Sequence, residues 1–168
     1  MSKPLLLLLL LGTLGAAAAS NAPADKYFGR LKYSALRVRF TTQQLKTAYE
    51  RHKKLPGDVE HMAAFTVEAF YEWAHTYPKD RWLASSAYGI AQLYEELPGT
   101  GARSEALRLL TFISTSYPGT LQARASARDL RGGLPVRPLP AWAVPIPIAP
   151  SGPPQMSPSA RPRQALTM

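Results

Sequence analysis

Three histidines and a run of carboxylates are the residues best suited to chemistry, and their spacing limits what they can do. Glu72 and His75 stand three apart, the Glu-x-x-His spacing with which helices hold a carboxylate-bridged di-iron centre, and Glu68 lies one turn earlier. Such a centre needs a second Glu-x-x-His and further glutamates from facing helices, and the sequence holds no second copy. His61 and His75 are fourteen residues apart, about four helical turns, too far to share one ion. The chain has no cysteine, which removes thiol catalysis, thiolate metal sites and disulfides. It also has no glycine-rich phosphate loop, serine elbow or H-E-x-x-H. The expectation is a protein that is not an enzyme, with no cofactor and no metal. The carboxylates then form the solvated face of a helix.

Those residues must be positioned by helices, because nothing between Asp25 and Arg131 alternates as a strand does. Phe28, Leu31, Ala35, Val38, Thr42, Leu45 and Tyr49 advance by threes and fours, one stripe of a first helix that runs from Asp25 to about Lys54. Thr41-Thr42-Gln43-Gln44 has the form of a capping box, so one kinked helix and two short ones both fit. A second helix is expected from Asp58 to Tyr77, burying Met62, Phe65, Ala69, Phe70 and Trp73. A third spans about Arg81 to Leu97 with Trp82, Ala87, Ile90, Ala91 and Tyr94 inward. A fourth spans Ala102 to Ser116 with Ala106, Leu107, Leu110 and Ile113 inward. Thr120 caps a fifth that ends at Gly132-Gly133. Short connections make neighbours antiparallel, so the fold is all-α with about five antiparallel helices over residues 25–133.

Two of these helices end alike. Tyr77-Pro78 and Tyr117-Pro118 lie forty residues apart, and each proline stops a helix at the residue before it. Around them Thr66 aligns with Ala106, Phe70 with Leu110, Trp73 with Ile113, Leu83 with Ala123, Ala87 with Ala127 and Ile90 with Leu130. Apolar positions recurring at a fixed offset mark stacked helical hairpins. Ala106 to Leu110, Tyr117-Pro118-Gly119-Thr120 and the spaced Ala123, Ala125 and Ala127 resemble the tetratricopeptide-repeat superfamily, as do Tyr77-Pro78-Lys79-Asp80, Ala84 and Ala87. Residues 66–130 are similar in particular to bacterial periplasmic helical-repeat proteins of outer-membrane assembly and the Tol-Pal system. The resemblance implies a scaffold that binds other proteins.

Both ends differ in composition from the helical part. Lys3, the apolar run Leu5 to Leu11 and the small residues after it have the order of a secretory signal peptide, assigned to residues 1–24. Cleavage after Ala24 fits best, since helix-like sequence starts there; Ala19 is the alternative. Export without cysteine fits a bacterial periplasm. Residues 134–168 hold ten of the sixteen prolines and no acid. The expectation is a disordered proline-rich tail; the alternative is a segment that docks in a groove of this chain or of a partner.

The first helix carries a second apolar strip, Tyr33, Leu36 and Phe40, opposite the first. With the adjacent cations Lys32 and Arg39 it is the candidate partner-binding surface. Lys32, Arg39, Lys46 and Lys53 recur every seventh residue, and pairing is expected with Asp58, Glu60, Glu68 and Glu72 of the second helix. The partner read from these features is another envelope protein. The net charge of +9 supports an alternative, an anionic lipid, lipopolysaccharide or cell-wall polymer. Export argues against nucleic acid.

Overall fold

A computed structural model of the chain describes residues 21–144. The signal-peptide assignment and residues 145–168 of the tail lie outside the described residues. The described residues form five α-helices: α1 (Ala35–Glu50), α2 (Pro56–Thr76), α3 (Leu83–Glu96), α4 (Thr100–Ser116) and α5 (Leu121–Gly132). A single 3-10 turn, Ala141–Ala143, follows them. Consecutive helices pack on each other, α3 on α4 and α4 on α5 most extensively, and α1, α3 and α5 also meet side by side. The fold is an all-α stack of antiparallel hairpins.

The first helix begins ten residues later than the apolar stripe indicates. Residues 21–34 form an arm folded back on itself. Phe28 N–H donates to the Tyr33 carbonyl at 2.8 Å, and Tyr33 N–H donates to the Phe28 carbonyl at 2.9 Å. The turn between them passes through Gly29 (φ 67°) and Lys32 (φ 52°), left-handed conformations that no helix accommodates. Ser34 then caps α1, its hydroxyl accepting from Arg37 N–H. Phe28 is buried as the stripe requires, but from the arm, against Trp73 and Tyr77 at ring distances of 6.4 and 6.1 Å. Leu31, assigned to the same stripe, is exposed.

From Ser34 on, α1 is continuous. Thr41 and Thr42 are buried inside it, and the Thr42 hydroxyl donates to the Val38 carbonyl one turn back instead of capping a new helix. The helix stops where His52 takes φ 54° and Lys53 N–H donates to the Ala48 carbonyl. Pro56 opens α2, a position where its missing N–H removes no helical bond.

The forty-residue spacing is visible in the backbone. Tyr77 and Tyr117 end α2 and α4 with nearly the same dihedrals (φ −129°, ψ 63° and φ −130°, ψ 51°). Asp80 N–H donates to the Tyr77 carbonyl, and Thr120 N–H donates to the Tyr117 carbonyl. The aligned pairs Phe70 and Leu110, Trp73 and Ile113 are fully buried in both copies. The correspondence loosens in α5, where Ala127 and Leu130 are only partly covered, because no sixth α-helix lies beyond them among the described residues.

Two assignments of buried residues shift by one or two positions. Trp82 is exposed and Leu83 takes the interior place; Leu107 is partly exposed and Leu109 is buried. Met62 and Phe65 are half-buried, while Val59, Ala63, Thr66 and Val67 join the core of α2. The tail also begins within the body. Gly99 N–H donates to the Arg137 carbonyl, and Arg103 donates to the Leu134 carbonyl. Trp142 stacks on His52 at 4.3 Å and tilts against Tyr49 at 5.6 Å. Residues 134–144 therefore contact the helical body at these points, while residues 135–139 stay exposed.

Candidate interaction surface

The residues assigned to partner binding are divided by α1. Leu36 and Phe40, one turn apart, are 71% and 52% exposed and form an apolar ridge on its outer side. Tyr33 is buried by its bridge to Phe28, with the Arg37 guanidinium 5.7 Å from its ring. Tyr33 and Phe40 open onto a groove of about 590 Å³ along α1, whose other walls include Thr41, Gln44, Ala48, Arg51, Lys53, Lys54 and Met62. Leu36 and Arg39 open onto a second cleft of about 290 Å³, closed by Ala22, Pro23, Trp73 and Trp82. Lys32 lines neither and sits exposed in the arm's turn.

Arg39 is held by an aromatic face. Its guanidinium lies 4.2 Å from the Trp82 ring, and Arg81 lies 5.0 Å from the same ring. Sequence reasoning placed Trp82 inside. The missed signal was Asp80, whose carboxylate accepts from Trp82 N–H at 3.0 Å, and α3 starts at Leu83, two residues later than expected. A third cavity of about 320 Å³ between α1 and α3 is lined by Arg39, Thr42, Lys46, Ser86, Gly89 and Gln92. There Lys46 is paired with Glu96 of α3 and with Glu50 at 3.8 Å.

The expected pairing between α1 cations and α2 acids is not formed; the acids of α2 hold the arm. Glu72 accepts from Gly29 N–H at 2.6 Å, and Glu68 accepts from both Arg30 N–H and Arg30 Nε, the latter at 2.7 Å. The side-chain hydrogen bond from Arg30 keeps Glu68 below the usual carboxylate range. The physical reason is reach: the two backbone N–H groups of the arm's turn present donors directly over the exposed face of α2. Of the four heptad cations, Lys46 pairs with α3, Arg39 stacks on Trp82, and Lys32 and Lys53 make no ion pair among the described residues.

No helix among the described residues is long and apolar enough to cross a membrane, and no three His, Asp or Glu side chains converge there. Glu72 of the Glu-x-x-His spacing is occupied by Gly29, and His52 is covered by Trp142. Two buried hydroxyls, Thr41 Oγ1 and Ser86 Oγ, lack a hydrogen-bond partner, and each borders one of the cavities beside α1. The arrangement offers preformed apolar clefts with basic rims. No protein-family model matches the chain, and neither the curated proteins nor the solved structures contain a match.

Proposed function

We propose that this chain is an exported, non-catalytic protein-interaction module of a bacterial cell envelope, built on hairpins of the tetratricopeptide-repeat type. The observation that carries the proposal is the Leu36–Phe40 ridge, 71% and 52% exposed and standing between two preformed clefts. Large apolar side chains grouped on a rigid helix and rimmed by cations are the features of a docking face. The forty-residue repeat supports the hairpin reading, and the leader-like residues before Asn21 support export. A photo-crosslinking residue in place of Leu36 tests it in cells of a bacterial host that exports the chain. A discrete crosslinked envelope protein, lost when Phe40 and Trp82 are changed to serine, is the expected result; the absence of any adduct at Leu36 and Phe40 alike would sink the proposal.

A second reading is favoured by a separate observation. Arg37, Arg51, Lys53 and Lys54 crowd one groove with no acidic residue in its lining. Attachment to an anionic lipid or polysaccharide through that charge would weaken steeply with ionic strength, whereas docking on the apolar ridge would change little. Capture from envelope extracts at low and high salt separates the two.

A further inference from the structure

The groove beside α1 occupies a particular place in the stack. Arg37, Thr41, Gln44, Ala48 and Arg51 advance by steps of three and four and share one face of α1. Arg39, Thr42, Lys46 and Tyr49, which meet Trp82, Gly89, Glu96 and Trp142, lie on the roughly opposite face. Among the described residues the groove is thus the open end of the stack, where the only helix that borders α1 is α2, through Met62. Three features of it ask for a ligand of one kind. From Arg37 to Arg51 it runs about 21 Å, some four turns of helix. Cations stand at both ends, Arg37 at one and Arg51, Lys53 and Lys54 at the other, and no acid lines it. Its floor is apolar where Phe40, Leu45 and Met62 line it, and Thr41 in its wall is buried.

We infer that this groove receives an acidic amphipathic helix of a partner protein. Apolar side chains at steps of three and four would fill the space over Phe40, Leu45 and Met62, as α3 fills the other side of α1. Carboxylates toward both ends would meet Arg37 and the Arg51–Lys54 cluster. A hydrocarbon chain would fit the apolar floor but leave one cationic end unused. The inference deepens the interaction-module reading and rests on it.

The test pans the purified chain against a displayed library of random peptides about four helical turns long. Enriched peptides are expected to combine Asp or Glu toward both ends with Leu, Ile, Met or Phe at helical spacing. A labelled member of the enriched set is then titrated by fluorescence anisotropy. Reversing Arg51, Lys53 and Lys54 to Glu should weaken it by about tenfold or more. Ala48→Phe, which narrows the groove, should abolish binding.

Failure to enrich acidic peptides, or binding indifferent to the charge reversal and to Ala48→Phe, overturns the inference. Phosphatidylglycerol vesicles bound in place of peptide and lost in the same variants would overturn it in favour of a lipid. A concentration-dependent dimer broken by Ala48→Phe would assign the groove to a second copy of the chain. The two proposals fail separately: crosslinking at Leu36 that survives Ala48→Phe keeps the module and discards the groove's helix. An acidic peptide bound by the chain without any cellular adduct does the reverse.

Discussion

Asp80 is the one buried acid among the described residues. It is 3% exposed, and its carboxylate accepts from the Trp73 indole N–H at 3.0 Å, from Ala22 N–H at 2.8 Å and from Trp82 N–H at 3.0 Å. One side chain thereby joins the arm, the central tryptophan of α2 and the start of α3. Thr120, forty residues on, repeats only the last of these roles, accepting from Ala123 N–H at 3.1 Å. Asp80→Ala leaves a fully buried indole N–H without a partner, so a loss of about 3 kcal/mol is expected in urea unfolding. Thr120→Ala should lose only about 1 kcal/mol, the usual worth of an N-cap. Equal losses for both would remove the distinction. Glu95 gives the opposite sign. Burial first, and the neighbouring Asp129 second, push its carboxyl above the usual range, and Oε1 has no hydrogen-bond partner. A carboxyl raised in the folded state favours folding below its unfolded value, and that contribution is lost as pH rises through the folded one. At neutral pH the charge therefore opposes folding. Glu95→Gln should melt higher than the parent at pH 7, by no more than a few degrees, and the two should converge below about pH 4. A difference that persists unchanged at low pH would refute this account.

Helix boundaries depend on what the neighbouring elements demand, and the arm is the clearest instance. Its apolar residues Phe28 and Leu31 fall in step with those of α1, so periodicity alone extends the helix back to Asp25. Nothing local overrides that reading except Gly29, whose importance lies forty residues away. A Cβ at Gly29 would stand 3.0 Å from both Cα and Cβ of Ala69, and its φ is 67°. Glycine is thus required twice, for the turn and for close approach to the backbone of α2. Gly29→Ala should dislodge the arm without unfolding α2 to α5, at about 1–3 kcal/mol. Trypsin then cuts faster at Lys26 and Arg30 while the helical signal stays near the parent value; unchanged protection would show that the arm tolerates the methyl group. The legible elements were those closed by local chemistry: Tyr-Pro at the ends of α2 and α4, Thr120 before α5, Gly133 after it. The ionic partners of α1 were not legible. Charge totals say that a basic segment and an acidic one attract, but not that the acids of α2 meet Gly29 and Arg30 first.

At the scale of the whole molecule, the helical stack is held at both margins by non-helical chain. Residues 134–144 cross Gly99 and Glu95 and end with Trp142 over His52, while the arm closes the opposite side over Trp73. The ridge was legible as a second apolar strip opposite the first, but of its three residues Leu36 and Phe40 are exposed and Tyr33 is buried. Its separation into two clefts was not legible, since that depends on where the arm lies. The arm's position also bears on export. Processing after Ala24 would remove Asn21, whose side chain accepts from Arg81 N–H at 3.3 Å, and Ala22, whose N–H donates to Asp80. It would also remove Pro23, which with Ala22 and Ala24 walls the cleft beside Leu36. Processing after Ala19 keeps all of these contacts. If the chain is exported as proposed, packing favours Ala19 over the site suggested by helix-like sequence alone. Mass spectrometry of the protein recovered from the periplasm of a bacterial host should give a chain beginning at Ser20. A mature chain beginning at Asp25 would contradict this, because the folded body would then lack one donor to its most heavily bonded acid, a loss of about 1–2 kcal/mol.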